Sequence, residues 1–346
     1  MKNTTKDLTI NTLRGLAIFT MVAANAAPYS LAAPHPLWFR FYGTFAAPLF
    51  ILLSGMMVVL SSQAKDRKFG YFLLRGVLLL LTGAIVDIVG DIFPFVTFDV
   101  LYLIGISLPL AFFFQRLGAK PRWVIIVAIF ALTPLLQLWL GYTDVPTEYA
   151  LNGMMKEVAL NQTGVLNHLL IDGWFPLFPW LGFSLLGVNL ALLRWRFEVA
   201  RSFGENRVSL AALGLIFGGG MLWNLFPGRH LVRHGYSEMF YPPTLGYIIT
   251  TIGLIVLLFS LVDRRPGLAL FKPLQPLGEA ALFMYLLHGA VIEYLTRELW
   301  PRQTMPAFAL LYLCFISAMI LIGYGLRFIK SKWRNQPFLV RFLLGG

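Results

Sequence analysis

Three polar side chains interrupt the apolar stretch that opens the chain: Arg14, Asn25 and His35. Arg14 and Asn25 are eleven residues apart. At about 100° per residue they return to within roughly 20° of one direction and share a helix face. His35 follows in a short loop between Pro34 and Pro36, before a second apolar run that contains Gly55. An imidazole takes up a proton near neutral pH. An amide N–H can bind a carbonyl oxygen or the oxyanion it becomes, and a guanidinium matches phosphate oxygens. Polar groups aligned along a membrane helix are costly and mark a pathway or a site.

Further candidates are scattered through the later runs. Arg75 lies one turn inside the third run, and Asp87 and Asp91, four apart, share a face near its end. That acidic pair reads either as a solvated helix end or as the lining of an outer vestibule. His288 follows Leu277 by eleven residues, about 16 Å of helical rise, which sets it near the midplane of a core about 30 Å thick. A histidine at that depth faces the bundle interior rather than lipid. His230, His234 and Glu238 stand at i, i+4, i+8 spacing that could ligate a metal. A basic outer loop explains that spacing equally well, and no metal is expected. Gly141 to Trp174, with Asp144, Glu148, Glu157, His168 and Asp172, is too long for a plain turn and reads as a functional segment or a lid.

These side chains must be positioned by membrane helices. The 346 residues are 58% hydrophobic and 13% charged, against roughly 25% charge in a soluble domain. Ten apolar runs are legible, near 13–33, 44–62, 71–90, 98–114, 122–140, 175–193, 208–225, 243–262, 277–299 and 306–329. The expected fold is all-α, a polytopic membrane protein of about ten transmembrane helices forming a single domain over 1–346. Pro176 and Pro179 predict a bent or broken start to the sixth run, and Gly218–Gly220 a weakened seventh or a close helix approach.

The formal net charge of +12 is topological. With the N-terminus inside, only Arg40, Lys156, Arg229, Arg233, Arg297 and Arg302 of the 28 Lys/Arg fall outside. Both termini are then cytoplasmic and the number of spans is even. No nucleic-acid partner is expected. Lys2, Lys6 and Arg14 before an apolar run and AANAAP resemble a signal peptide, but cleavage would remove Asn25's helix, so a retained signal-anchor is expected. The one cysteine, Cys314, excludes an internal disulfide and a cysteine-based metal site.

LRGLAIFTMVAANA, PHPLW and APLFILLSG, followed by YFLLRGVLLLLTGAIV and VLYLIGISLPLAF, resemble the heparan-α-glucosaminide N-acetyltransferase catalytic-domain family. PWLGFSLLG and LGEAALFMYLLHG continue the likeness more loosely. The resemblance implies a membrane acyltransferase that takes an acetyl group from cytosolic acetyl-CoA to a sugar or glycan acceptor on the far side. It implies His35 and Asn25 as catalytic residues, and it matches Arg14 and His288 to family positions. With Arg75, these two make the expected donor-binding set, and Arg14 and Arg75 suit the phosphates of CoA. As residues alone, the two arginines read equally well as positive-inside anchors. His35 would act as general base or carry a transient acetyl group. Thr44 departs from the family, whose human-type members carry an acidic residue there, so the resemblance leaves the acceptor open. The expected setting is the bilayer of a bacterial inner membrane, with a homodimer as a candidate assembly. The alternatives are a transporter or flippase using His288, Asp87 and Asp91, against which no repeated halves are found, and a non-catalytic scaffold.

Overall fold

The computed structural model describes residues 7–64, 66–142, 148–151, 155–157, 164–195, 201–227, 232–233, 236–237, 239–241, 243–333 and 335–345. The apolar runs become helices: α1 (Leu8–Ser30), α2 (Leu37–Thr44), α3 (Ala46–Ala64), α4 (Phe69–Val89), α5 (Val100–Phe114) and α6 (Ala119–Leu140). A short α7 (Val165–Asn167) runs into a π-turn, His168–Asp172, before α8 (Leu177–Arg194), α9 (Asn206–Leu225) and α10 (Leu245–Arg264). The ninth run is divided into α11 (Leu274–Glu279), α12 (Ala281–Val291), a π-turn at Ile292–Thr296 and α13 (Arg297–Leu299). Then come α14 (Met305–Lys332) and α15 (Phe338–Leu344). Two antiparallel ladders, β1 (Glu148–Tyr149) with β2 (Met155–Glu157) and β3 (Val232–Arg233) with β4 (Tyr236–Ser237), are the described strands.

Seven helices among the described residues are long and apolar enough to cross a membrane. The expected figure of about ten is not reached on that measure, for physical reasons. α1 has the length, at 23 residues, but Asn11, Arg14, Thr20 and Asn25 dilute its apolarity. α5 has only 15 residues, and the ninth run breaks at Ala280, where φ −120° and ψ 38° leave the helical region. The sixth run is bent as its prolines predict, with Phe178 at φ −103° and ψ 120° inside α8.

The core forms where α3, α5, α8 and α10 meet, with Leu49, Leu52 and Met56 against Trp180, Phe183, Tyr247 and Phe259. α4, α6, α9 and α14 form the periphery and leave much of their apolar surface uncovered, Leu210, Phe217, Met221 and Leu321 included. An apolar surface this extensive is a lipid-facing wall. Gly219 permits the close approach of α10, since a Cβ there would meet the backbone nitrogen of Thr250 at 2.5 Å.

α1 is the strut that carries the candidate residues. Ile18 and Val22 pack with Leu277, Ala281, Met284 and Met319. Gly15 sits against the Leu274 carbonyl and Gly278 against the Asn11 carbonyl, where a side chain would collide. This close contact turns the Asn25 face of α1 toward α12.

The start of α1 is locked by a buried ion network. Asp7 caps the helix by accepting from the backbone N–H groups of Thr9 and Ile10. Arg194, at the end of α8, pairs with Asp7 at 2.8 Å and with Asp263 of α10 at 2.7 Å. Asp263 also accepts from Thr9 Oγ1 at 2.6 Å and from the Phe203 backbone N–H at 2.6 Å. Removing one member strands buried charge, so Arg194→Ala is expected to destabilise the protein by about 3–5 kcal/mol. Denaturant unfolding in detergent checks this; an unchanged midpoint would mean that the network does not hold α1.

Candidate functional site

Asn25 and His288 are brought together. Their Nδ2 and Nε2 atoms are 3.0 Å apart, across 263 residues of sequence. The amide nitrogen of Asn25 can only donate, so Nε2 of His288 accepts and its proton sits on Nδ1. Nδ1 faces the Met284 carbonyl, one turn back, at 3.3 Å. Both residues line a cavity of about 630 Å³ between α1, α3, α4 and α12.

The polar groups of that cavity come from several elements. Asp87 from α4, Asp99 from the segment before α5, Tyr285 and His288 from α12, and Glu293 and Arg297 beyond it all line it. Tyr102 donates to Asp87 Oδ2 at 2.5 Å, and Tyr285 donates to Asp99 Oδ2 at 2.6 Å. The vestibule reading of Asp87 therefore fits the geometry. Asp91 lies outside the cavity, exposed at φ 57°.

Trp174, Phe175, Phe240 and Tyr241 supply an aromatic wall. The backbone N–H groups of Trp174 and Phe175 donate to the carbonyls of Thr97 and Phe98 at 2.8 and 2.9 Å. The end of the long 141–174 segment thus contributes Trp174 to the cavity. His168 and Asp172, buried at 3.0 Å from each other, stand just before it. Asp144 lies outside the described residues, as do the side chains of Glu148 and Glu157.

His35 is placed elsewhere. It is only 7% exposed, does not line the cavity, and its Nε2 is 3.1 Å from the Leu31 carbonyl. Burial lowers its pKa below the ordinary histidine value; the Leu31 carbonyl opposes that shift and Arg40 adds to it. The imidazole is therefore neutral down to more acidic pH than a free histidine, whose pKa is about 6.5. An NMR titration of His35 is expected to give a midpoint below that value, moving upward in Arg40→Gln. A midpoint at or above the free value would contradict the burial.

Arg14 and Arg75 occupy the opposite end of the bundle. Arg14 lies within the electrostatic reach of Arg75 and Glu279. Arg75 donates to Tyr71 Oη at 2.9 Å and stacks over the Phe342 ring at 5.4 Å. Glu279 pairs with Arg327 at 3.0 Å. Thr44 is buried, with Oγ1 donating to the Arg40 carbonyl at 2.8 Å, while its neighbours Gly43 and Ala46 line the cavity. His230, His234 and Glu238 lie outside the described residues. Among the described residues no cluster of three or more His, Cys, Asp or Glu is arranged for a metal.

Residues 7–221 match the family described as heparan-alpha-glucosaminide N-acetyltransferase, catalytic, which is more than half of the 346-residue chain. The chain belongs to this family. It is an acyltransferase-type enzyme by family and an integral membrane protein by its apolar helices. The heparan-alpha-glucosaminide N-acetyltransferase match contains Arg14, Asn25, His35 and Arg75 and stops before His288. No curated protein matches the chain. The family match does not speak to a homodimer.

Tyr285 and Tyr102 were not singled out by sequence. Tyr285 precedes His288 by three residues and so shares its helix face, which is the signal that marks it. Tyr102 carries no such signal, because its partner Asp87 is fifteen residues away on another helix.

Proposed function

We propose that the protein moves an acetyl group from acetyl-CoA, bound at the positively charged cytoplasmic end, to a sugar or glycan acceptor in the cavity at the other end of a bacterial inner-membrane bundle. The observation that carries this is Asn25. It lies inside the family match, lines the cavity and contacts His288.

Arg14 lies within electrostatic reach of both Arg75 and Glu279, and Glu279 is paired with Arg327, which leaves positive charge for the donor's phosphates. The ring faces of Tyr71 and Phe342 lie beside Arg75. From Arg14 to Asn25 is about 16 Å along α1, a span suited to the extended arm that joins a CoA phosphate to its thioester. These residues fit the donor, and no metal is required for the transfer. The thioester supplies the activated acyl carbon.

In this reading, the acceptor nitrogen or oxygen attacks the thioester carbonyl as the carbon–sulfur bond breaks. His288 Nε2 takes the proton that the acceptor loses and returns it to the departing thiolate. The incoming acceptor displaces the Asn25 amide from Nε2, and the freed N–H donates to the carbonyl oxygen as charge develops on it.

A second reading is favoured by one observation, that the matched residues include His35 and not His288. There, movement of the loop between α1 and α2 brings His35 to the acceptor as base or acetyl carrier. Parallel assays of His35→Ala and His288→Ala separate the two. Binding of labelled acetyl-CoA to the purified protein tests both against the transporter alternative, since a transporter of another solute has no reason to bind it. Saturable binding weakened by Arg14→Ala supports the enzyme; no binding to the wild type overturns it.

A further inference from the structure

We infer that Tyr285 and Asp99 form a positioning pair for His288, an inference that rests on the acetyl-transfer reading with His288 in the reacting site. Three observations meet here. Tyr285 Oη donates to Asp99 Oδ2 at 2.6 Å, across 186 residues of sequence. The Tyr285 ring and the His288 imidazole pack in a T-shaped arrangement, with centroids 5.3 Å apart and planes at 64°. Tyr285, Asp99 and His288 all line the same cavity as Asn25.

The helix that carries His288 needs such support. α12 begins after the break at Ala280, and its last turns give way to the π-turn at Ile292–Thr296. Its hydrogen-bond ladder is therefore irregular close to both ends. A flip of the imidazole would replace Nε2 with a carbon at the Asn25 contact. The Tyr285 ring packed against the imidazole restricts that rotation, and the bond to Asp99 fixes Tyr285 from a segment outside α12.

Asp99 gives up its ordinary local role to do so. It occupies the N-cap position of α5, where an aspartate normally accepts from the first-turn N–H groups. Here its side chain makes no capping bond and meets the phenol instead. A local preference set aside in favour of a long-range contact is the pattern expected at a functional site.

The pair acts through His288 and needs no contact with the acceptor, so its loss is expected in kcat while acetyl-CoA binding is retained. Tyr285→Phe keeps the ring and removes only the bond to Asp99. It and Asp99→Ala should each lower kcat by about tenfold, within the range seen when a reacting group is misplaced by less than 1 Å. The double variant should be no worse than either single variant, because both remove one interaction. Asp99→Asn keeps an oxygen acceptor and should stay within about threefold of wild type.

The test measures CoA-thiol release with glucosamine and glucose as acceptor probes, and labelled acetyl-CoA binding, for the full-length protein and these variants in detergent. Wild-type turnover with Tyr285→Phe unchanged overturns the pair and leaves the enzyme reading standing. Additive losses in the double variant, or an Asp99→Asn loss as large as that of Asp99→Ala, overturn it equally. No turnover by the wild type overturns the enzyme reading and the pair with it. If Asp99→Ala fails to fold, Tyr285→Phe and Asp99→Asn still decide the matter.

Discussion

His288→Ala is expected to lower acetyl transfer by at least about 100-fold, the low end of what a positioned base contributes. Nε2 of His288 accepts from Asn25 at 3.0 Å, and both residues line the cavity. It carries the lone pair because Nδ1 faces the Met284 carbonyl. Alanine removes the proton acceptor but leaves the basic end of the bundle untouched, so kcat should fall while acetyl-CoA binding stays within about twofold. Steady-state kinetics with a binding assay on the same preparation checks both. A His288→Ala enzyme with full turnover, beside an inactive His35→Ala enzyme, would transfer the base to His35.

Asn25→Ala is expected to lower kcat by between about 100- and 1000-fold, the range for loss of one oxyanion donor. Its amide has two duties in the proposed reaction. Before the acceptor binds it holds Nε2 of His288, and during attack it donates to the acyl oxygen. Asn25→Asp keeps the shape but places a carboxylate where negative charge develops, so it should be no better than alanine. Asn25→Gln should lose activity too, since the added methylene moves the amide by more than the tolerance of such a donor. Donor binding unaffected by any of the three, with turnover lost in all, is the expected pattern. Wild-type turnover in Asn25→Ala would remove the amide from the reaction.

Much of the scaffold could be read from the chain, because bilayer-spanning apolarity is a strong signal. Each of the ten apolar runs lies on a helix, or on the divided helix that contains His288. Pro176 and Pro179 marked the bend in α8, since proline cannot continue the hydrogen-bond ladder. The shared face of Arg14 and Asn25 follows from helical periodicity, and α1 is indeed one uninterrupted helix from Leu8 to Ser30.

What periodicity cannot supply is the rotation of one helix against another. The contact between Asn25 and His288 depends on the glycine-mediated packing of α1 against α11, where Gly15 and Gly278 let the backbones meet. That approach is a tertiary fact with only small residues as its trace. The break at Ala280 was hidden for a related reason. Leu-Gly-Glu-Ala-Ala reads as helix, and the departure is imposed by packing against α1 and α14. His35 reads as a loop residue between two prolines, and the sequence does not show that its loop folds back so that the buried imidazole meets the Leu31 carbonyl. Nothing in the sequence marks Asp99, because its partner Tyr285 lies 186 residues away.

The most direct measurement is acetyl transfer by the purified wild-type protein in sealed vesicles. Labelled acetyl-CoA is supplied on the side of the basic helix ends, and glucosamine and glucose, as amine and hydroxyl probes, on the other. The expected result is saturable release of CoA thiol on the donor side, with label appearing in an acceptor across the membrane, and loss of both in Asn25→Ala. Saturable acetyl-CoA binding without thiol release under any of these conditions would contradict transfer, and no binding at all would contradict the donor site as well.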